Sequence, residues 1–221
     1  GGEAVRIFDV TIRNAGNTAV TIEGGRRHSV SGSRIYQVGD AGIQMAGGNR
    51  QTLEPAGHEV RITDLYADDF NPLLSAFERA NHEAPPETKP EILPYAELLQ
   101  WCEALVLVYP TWWSAQPAML KGWIDRVWVR GIAYDVNDES DIIVPRLQNI
   151  RRVVAITTHG SSKFVNAVQG ECGKRVVTRS LRVLCHRWAR ARWVAMYGLD
   201  HAGPRRRQRY LERVERTMRK L

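Results

Sequence analysis

The first 50 residues lack leucine, proline, lysine and tryptophan, which all occur in the rest of the chain. The same segment holds 10 of the 18 glycines and is poor in side chains that usually form a core. Two stretches, residues 5–12 and 34–38, resemble short strands, and neither is followed by an amphipathic helix. We therefore predict an atypical N-terminal segment at residues 1–53 and a separate domain at residues 54–221.

The chain also lacks long apolar runs and paired cysteines. None of its apolar runs approaches the ~20 residues that a transmembrane helix needs, and no signal peptide is visible at the N-terminus. Cys102, Cys172 and Cys185 show no CxxC spacing, and an odd number of cysteines is typical of free thiols in a reducing compartment. These absences predict a cytoplasmic protein without membrane insertion and without a metal site.

Positive charge is concentrated at the C-terminal end. The whole chain carries a formal net charge of +7, and residues 174–221 contain 15 Lys and Arg against 3 Asp and Glu. Such an end could attract nucleic acid, anionic lipid or a phosphorylated cofactor. Aromatic residues are not interleaved among the arginines of the last predicted helix, as a platform for nucleic acid requires. We therefore favour a solvated helical face and predict no nucleic-acid partner.

From residue 56 onward, apolar strands alternate with amphipathic helices. The predicted strands are 59–65, 104–108, 152–156 and 193–197. The predicted helices are 72–79, 91–102, one that begins at Pro117, 165–187 with a break near 170–173, and 204–221. Strands that are continuously apolar and alternate with helices form a parallel sheet that is covered on both faces. We therefore predict an α/β protein with a doubly wound parallel sheet.

Two unusual loops follow two of these predicted strands. The stretch "PTWWSAQ" follows strand 104–108 and leads into a helix, and "TTHGSS" follows strand 152–156. Ligands bind at the carboxyl ends of parallel strands, so the two loops are candidates for one binding site. Flat aromatic rings beside the free amides of a helix start suit a flat, electron-rich heterocycle such as a flavin. The alternative is that both tryptophans pack against a neighbouring helix or a partner subunit.

A long motif spans the first of these loops. The stretch "YPTWWSAQPAMLKGWIDRVWVRGIAYD" resembles the signature of the flavodoxin-like NAD(P)H:quinone oxidoreductases, which include the modulator-of-drug-activity reductases. The stretch "AGHEVRITDLYADDFNPLLS" is similar to the segment after their first helix, and "ITTHGSS" is similar to their second flavin loop. The resemblance extends from about residue 54 to residue 200 and implies the flavodoxin-like fold.

The resemblance implies roles for residues of both loops. The residues expected at the flavin are Pro110, Thr111, Trp112, Trp113, Ser114, Thr157, Thr158, His159 and Gly160. Trp113 and Tyr134 are expected to shape the substrate cavity, often across the interface of a dimer. A homodimer is also predicted because Trp123, Trp128 and Tyr134 give this region more apolar surface than one helical stripe buries. Lys121 is expected in a structural ion pair.

The resemblance also implies a flavin-dependent enzyme. FAD is the expected cofactor with FMN as the alternative, and NADPH or NADH is the expected electron donor. Hydride would pass from the nicotinamide to flavin N5, and two electrons would then pass to a quinone or similar small acceptor with ping-pong kinetics. Two alternatives are a non-enzymatic regulatory subunit, of the kind found on potassium efflux systems, and a degenerate flavodoxin-like protein without flavin.

The sequence departs from this family at two places. The animal enzymes carry a Tyr and a His shortly after the second loop, whereas the stretch "KFVNAVQGECGKR" contains neither. The family also opens with a strand and a loop with His-Pro and Ser that holds the flavin phosphate, and nothing in residues 1–53 matches that loop. A shifted reading frame upstream of about residue 52 would explain this absence. The alternative is a divergent segment that supplies a substitute strand.

Overall fold

The computed structural model describes residues 59–137 and 139–221, and within residues 1–46 it gives the backbone pairing of six short strands. The chain divides into two compact units, Gly1–Tyr66 and Ala67–Leu221. The domain boundary predicted between residues 53 and 54 lies outside the described residues, and it therefore stays a prediction.

The strands of the first unit pair in parallel at a constant spacing along the chain. They are β1 (Arg6–Phe8), β2 (Thr11–Arg13), β3 (Thr21–Glu23), β4 (Ser29–Ser31), β5 (Arg34–Tyr36) and β6 (Gln44–Ala46). The pairs are β1 with β4, β2 with β5 and β3 with β6, and Arg6 lies opposite Ser29 in the first of them. In all three pairs the partner residues are 23 positions apart in the sequence. The strand-like stretches at 5–12 and 34–38 are thus confirmed in part.

The second unit alternates helices and strands. Its strands are β7 (Ala104–Pro110), β8 (Tyr134–Val136), β9 (Ile143–Pro145), β10 (Arg152–Thr158) and β11 (Arg190–Met196). Its helices are α1 (Ala76–Ala80), α2 (Leu93–Trp101), α3 (Ala118–Val127), α4 (Lys163–Val168), α5 (Cys172–Arg175) and α6 (Pro204–Met218). Helix α5 continues into a π-helical turn, Val176–Leu181, and a 3-10 turn, Arg182–Leu184. None of the helices in the described residues has the length and apolarity that crossing a membrane requires.

A parallel sheet of three strands in the order β11-β10-β7 forms the centre of this unit, which confirms the predicted α/β class. The central strand β10 is fully buried at Val153, Val154 and Ala155. Because the strands are parallel, their carboxyl ends lie together at one end of the sheet, and their amino ends lie together at the other. Pro110 lies opposite Thr158 in the register, so both predicted ligand loops begin at the carboxyl end of the sheet.

Strand β7 is less buried than the sequence predicts. Val108 is 72% exposed, and the first three residues of the strand are half-buried. Among the described strands, only β10 pairs with β7, so the other side of β7 offers backbone groups without a strand partner.

One buried arginine joins α3 to α1 and to the turn that precedes α2. Arg126 of α3 donates hydrogen bonds to Glu78 of α1 (2.7 Å) and to Glu91 (2.9 Å), and its guanidinium lies 5.3 Å from the ring centre of Phe70. Glu78 also closes a capping box at the start of α1, where its backbone N–H donates to Ser75 Oγ. Arg126 and Glu78 are both buried, so their charges stabilise each other in a region with little water.

Two predicted elements differ from the structure, and one element was not predicted. Residues 59–64 have no regular structure where a strand was predicted, since a strand needs a neighbour for its backbone hydrogen bonds. Helix α1 begins at Ala76, whereas the prediction began it at residue 72 after Asn71. The Asn71 side chain instead accepts a hydrogen bond from the Leu73 amide in a local turn. The element that was not predicted is the antiparallel hairpin of β8 and β9. Its sequence shows no clear alternation of apolar and polar residues.

The three cysteines are free thiols, as predicted. Burial raises the pKa of Cys102 to about 11 and that of Cys185 to about 12, so both remain protonated and unreactive near neutral pH. Cys172 is exposed at the start of α5.

Candidate functional site

The two tryptophans of the first loop lie in a tight reverse turn. Trp113 and Ser114 both have positive φ angles, 48° and 60°, and these are the two central residues of the turn. The turn is closed by two backbone hydrogen bonds, from Trp112 N to Ala115 O (3.2 Å) and from Ala115 N to Trp112 O (2.9 Å). Asn and Gly normally occupy such positions because a larger side chain strains the left-handed conformation. Strain of this kind is concentrated at functional sites in proteins.

The tryptophan side chains point away from the body of the chain. Trp113 is 98% exposed and Trp112 is 63% exposed. The alternative interpretation, in which both rings pack against a neighbouring helix, is therefore wrong within the described part of this chain. Two large apolar rings at the carboxyl end of a parallel sheet form a surface that a flat ligand or another molecule can cover.

The turn is held against the junction between α4 and α5. Gly173 N donates to Ser114 O (2.8 Å), and Gln116 Nε2 donates to Gly173 O (2.9 Å) and to the Tyr109 hydroxyl (3.2 Å). A Cβ atom at Gly173 would lie 3.1 Å from both Ser114 O and Ala115 Cα. The absence of a side chain at Gly173 thus permits this close approach. Burial raises the pKa of Tyr109 to about 12, so its hydroxyl stays protonated.

The second loop is joined to the first through Thr111. Its backbone N–H donates to Thr158 O (2.9 Å), and its hydroxyl lies 2.8 Å from the Thr157 hydroxyl. The same hydroxyl lies 3.4 Å from His159 Nε2. Thr111 of the first loop is therefore in direct contact with three predicted residues of the second loop, so the two loops lie side by side.

His159 is buried, although it lies in the loop that follows β10. Its ring stacks on Tyr197 with the centres 4.6 Å apart, and its backbone N–H donates to Met196 O (2.7 Å). Burial lowers the pKa of His159, against smaller raising effects of Asn166 and Glu171. The imidazole is therefore neutral at pH 7. Its Nδ1 is buried and has no hydrogen-bond partner among the described atoms.

Gly160 follows His159 at a point where a side chain does not fit. A Cβ atom at this position would lie 2.7 Å from Asp200 Oδ2. The backbone N–H of Gly160 donates no hydrogen bond within the described residues, and the same holds for the amides of Trp113 and Ser114. Within the described residues, these three amides of the two loops are therefore available as donors.

Tyr134 is not brought to this site by the described contacts. It lies on β8 opposite Pro145 and forms an isolated bridge with Arg130. Burial raises the pKa of Tyr134, with a lowering effect of Arg130 and a raising effect of Glu83. Lys121 pairs with Asp125 (2.6 Å) on the exposed face of α3, as a structural ion pair. The role of Tyr134 in a substrate cavity stays a prediction.

The apolar surface that motivated the predicted homodimer is covered by this chain itself. Trp123 and Trp128 are buried and contact each other edge to face, with ring centres 6.2 Å apart. These two residues therefore offer no surface to a second copy, and that reason for a dimer is wrong. The homodimer itself stays a prediction; the exposed rings of Trp112, Trp113 and Phe164 are apolar surface near the two loops.

The residues of the two loops fit the ring system of a flavin. The exposed indoles of Trp112 and Trp113 offer an apolar face, and the free amides of Trp113, Ser114 and Gly160 offer donors for the polar edges of the ring. The loop for the flavin phosphate, which the resemblance would place within residues 1–53, lies outside the described residues.

The fold defines an open-sheet α/β protein, and the candidate site lies at the carboxyl end of its strands, where such sheets bind ligands. The family described as having the flavodoxin-like fold matches residues 46–221, which is most of the chain. This protein therefore belongs to the flavodoxin-like fold family.

Relatives of known name are oxidoreductases. NAD(P)H dehydrogenase [quinone] 1 of Rattus norvegicus is 32% identical over 139 residues, which are 56% of this chain and 50% of the relative. An uncharacterized NAD(P)H oxidoreductase of Escherichia coli is 42% identical over 78 residues, which are 34% of this chain and 39% of the relative. This chain thus spans about half of the length of the first of these relatives, and less of the second.

Solved structures show the same fold. NAD(P)H:quinone oxidoreductase from Methanothermobacter marburgensis is 25% identical, with a TM-score of 0.61, and the match covers 77% of this chain and 86% of that one. A protein from Streptococcus mutans is 27% identical, with a TM-score of 0.63, and the match covers 78% of this chain and 88% of that one.

Proposed function

We propose that this chain is a flavin-dependent NAD(P)H oxidoreductase that reduces a quinone or a similar small acceptor. The observation that carries the proposal is the strained turn at Trp113, which exposes two indole rings and is joined by Thr111 to the second loop. The names of its relatives support the same reaction class. FAD is the proposed cofactor with FMN as the alternative, and NADPH or NADH is the proposed donor.

The residues of the two loops would hold the flavin ring in place. Trp112 and Trp113 would border its apolar face, and the amides of Ser114 and Gly160 would donate to its polar edges. Thr111 fixes the spacing between the two loops, so the loops would contact both edges of the ring at the same time. A bound flavin would supply the redox chemistry, by accepting a hydride from the nicotinamide and passing two electrons to the acceptor.

Donor and acceptor would use the same exposed face of the site in turn, which gives ping-pong kinetics. No acidic or basic side chain is needed at the reacting atoms in this proposal. His159 is neutral, buried and in contact with Thr111, so it holds the loops together and does not act as a base. We further propose a homodimer and a cytoplasmic location, with no insertion into a membrane.

The open side of β7 favours a second candidate function. Among the described strands, nothing continues the sheet beyond β7, and Val108 is exposed there. If the flavin phosphate is bound by a loop from that side of the sheet, this chain would bind the phosphate weakly. A flavodoxin-like protein that binds no flavin is therefore the alternative.

Binding of FAD and FMN to the purified full chain separates the two candidates. The enzyme proposal expects quenching of flavin fluorescence on titration, followed by oxidation of NADPH when a quinone is added. Trp113→Ala should weaken flavin binding about ten- to hundredfold, because about 1–3 kcal/mol of ring contact is lost. Trp188→Ala is the matched control, since Trp188 is also an exposed tryptophan but lies at the amino end of the sheet. Absence of flavin binding in the wild-type chain would favour the second candidate.

A further inference from the structure

An exposed tryptophan lies at the amino end of the sheet, opposite to the candidate flavin site. Trp188 is 71% exposed, and the guanidinium of Arg187 lies 5.2 Å from its ring centre. The Arg182 side chain donates to Ala189 O (2.8 Å) and to Arg187 O (3.1 Å). These bonds fold residues 182–189 into a closed loop just before β11, and this loop also exposes the aliphatic side chain of Val183.

Exposed cations surround this loop. Arg152 of β10 lies opposite Arg190 of β11, and Arg190 N donates to Arg151 O (2.9 Å). The Arg152 guanidinium donates to the backbone carbonyl of Lys220 at the end of the chain. We call Arg151, Arg152, Val183, Arg187, Trp188, Arg190 and Lys220 the Trp188 patch.

The cations of the Trp188 patch are not neutralised within the described part of the chain. None of them forms a salt bridge with a described carboxylate. Acidic residues also lie at this end of the sheet: the Glu103 carbonyl accepts from Arg151 N (2.8 Å), and Glu215 pairs with Arg219 next to Lys220. Neighbouring like charges on paired strands are destabilising, and a surface that keeps them is suited to an anionic partner.

We propose that the Trp188 patch docks onto an anionic lipid surface. Tryptophan prefers the interface between lipid and water because its ring is apolar and its N–H is polar. Lys and Arg residues beside such a ring are attracted to the negative headgroups, and an aliphatic side chain such as Val183 adds apolar contact. The proposal does not depend on the proposed flavin function, because the patch and the flavin site lie at opposite ends of the sheet.

The composition of the patch favours lipid over nucleic acid. Surfaces that bind single-stranded nucleic acid use several aromatic rings on which successive bases stack. The Trp188 patch has one aromatic ring, and the Arg187 guanidinium already lies close to it. Its other exposed apolar group is aliphatic and offers no stacking face. We therefore commit to a lipid bilayer with anionic headgroups as the partner.

Sedimentation of the full chain with lipid vesicles tests the proposal. Vesicles of phosphatidylcholine alone are compared with vesicles that also contain phosphatidylglycerol, at an ionic strength of about 0.1 M. We expect binding to the anionic vesicles, a shift of tryptophan emission to the blue, and loss of binding at high salt. Trp188→Ala should weaken binding about tenfold, and the double variant Arg187→Gln/Arg190→Gln about twenty-five-fold, since each cation contributes about fivefold.

The matched control is Arg205→Gln/Arg207→Gln on the first turn of α6. It removes the same charge from the part of the chain that follows the carboxyl end of β11, and it should leave vesicle binding within about twofold of wild type. Equal losses in the two double variants would overturn the proposal, because binding would then follow total charge. It would also be overturned if the wild-type chain bound neither vesicle, or bound single-stranded DNA while ignoring both. Circular dichroism and thermal unfolding confirm that each variant is folded.

Discussion

The two units of this chain find their strand partners in different ways. In the N-terminal unit, every strand pairs with a strand 23 residues away, in three successive pairs with one register. In the second unit, β7 and β10 pair across 48 residues and β10 and β11 across 38 residues, with helices in the connections. Constant spacing is typical of a repeat structure in which each turn of the chain stacks on the previous one. Variable spacing with helices is typical of an open α/β sheet.

The 23-residue register coincides with a regularity in the sequence before residue 50. Pairs of adjacent glycines occur at residues 1–2, 24–25 and 47–48, with the same spacing of 23 residues. The middle residue of each of the six strands is Ile, Val or Met. A shifted reading frame gives no reason for a sequence period that coincides with the strand register, so these regularities favour an evolved repeat. The family match begins at residue 46, where the second repeat ends.

The largest expected effect concerns the core of the second unit. Arg126→Leu should lower its free energy of unfolding by about 3–5 kcal/mol, because Glu78 would be left buried without its partner. Urea unfolding measures this change. Lys121→Gln on the same helix is the control, and removing its exposed ion pair should cost less than about 0.5 kcal/mol. Equal changes for the two variants would show that Arg126 is not the centre of this core.

A smaller effect is expected where the Trp113 turn meets α5. Gly173→Ala should lower the free energy of unfolding by about 1–2 kcal/mol, because its Cβ would press on Ser114 O and Ala115 Cα. Flavin binding, if present, should weaken as the turn is displaced. The exposed Gly203 has open space around it, so Gly203→Ala is a suitable control and should stay near wild type. A Gly173→Ala variant with wild-type stability would contradict the described contact.

The pH dependence of stability should carry a contribution from His159. Burial lowers its pKa in the folded state, so the unfolded chain binds the proton more readily. The contribution of His159 to the free energy of unfolding should therefore be fully present above the ordinary pKa of about 6.5. It should be lost progressively as the pH falls below that value. In His159→Gln this loss should be smaller between pH 7 and pH 5. Identical pH profiles of unfolding for the two proteins would contradict a neutral, buried His159.

The smallest effect on the second unit is expected from removing one whole repeat. Deletion of residues 24–46 removes one period of the sequence and should change the unfolding free energy of the second unit by less than about 0.5 kcal/mol. Deletion of residues 24–35 removes half a period and breaks the spacing of the glycine pairs, so limited proteolysis should cut the N-terminal unit faster in this variant. Equal rates of cleavage would argue against the 23-residue repeat.

The sequence predicted the elements whose apolar residues form one continuous pattern. The strand at residues 104–108 and the helix that begins at Pro117 follow directly from local periodicity, as does the position of the two loops at the carboxyl end of the sheet. The strand predicted at 59–65 failed because strand formation depends on a neighbouring strand, which local periodicity does not show. The apolar surface predicted at Trp123 and Trp128 was wrong for the same reason, because the burial of these rings depends on packing from distant segments.

The details of the site were less accessible than its location. Thr111 and Trp113 could be placed on the loop from the order of residues alone. The role of Gly173 could not, because it depends on a close approach between residues that are about 60 positions apart. The burial of His159 depends on stacking with Tyr197, and the spacing of the two residues gives no sign of that contact. The repeat in the first unit was visible in the glycine spacing, but it needed the strand register to be recognised.

The length of β10 bears on whether an acceptor must be in water or in lipid to reach the candidate site. Its seven residues span about 20 Å and separate the Trp113 turn from the Trp188 patch. A chain that lay on a lipid surface through this patch would hold the turn in water, far above the headgroups. An acceptor in the aqueous phase would reach it, and a quinone confined to the hydrocarbon core would not. The distance set by β10 would then favour acceptors that are dissolved in water over acceptors that are dissolved in lipid.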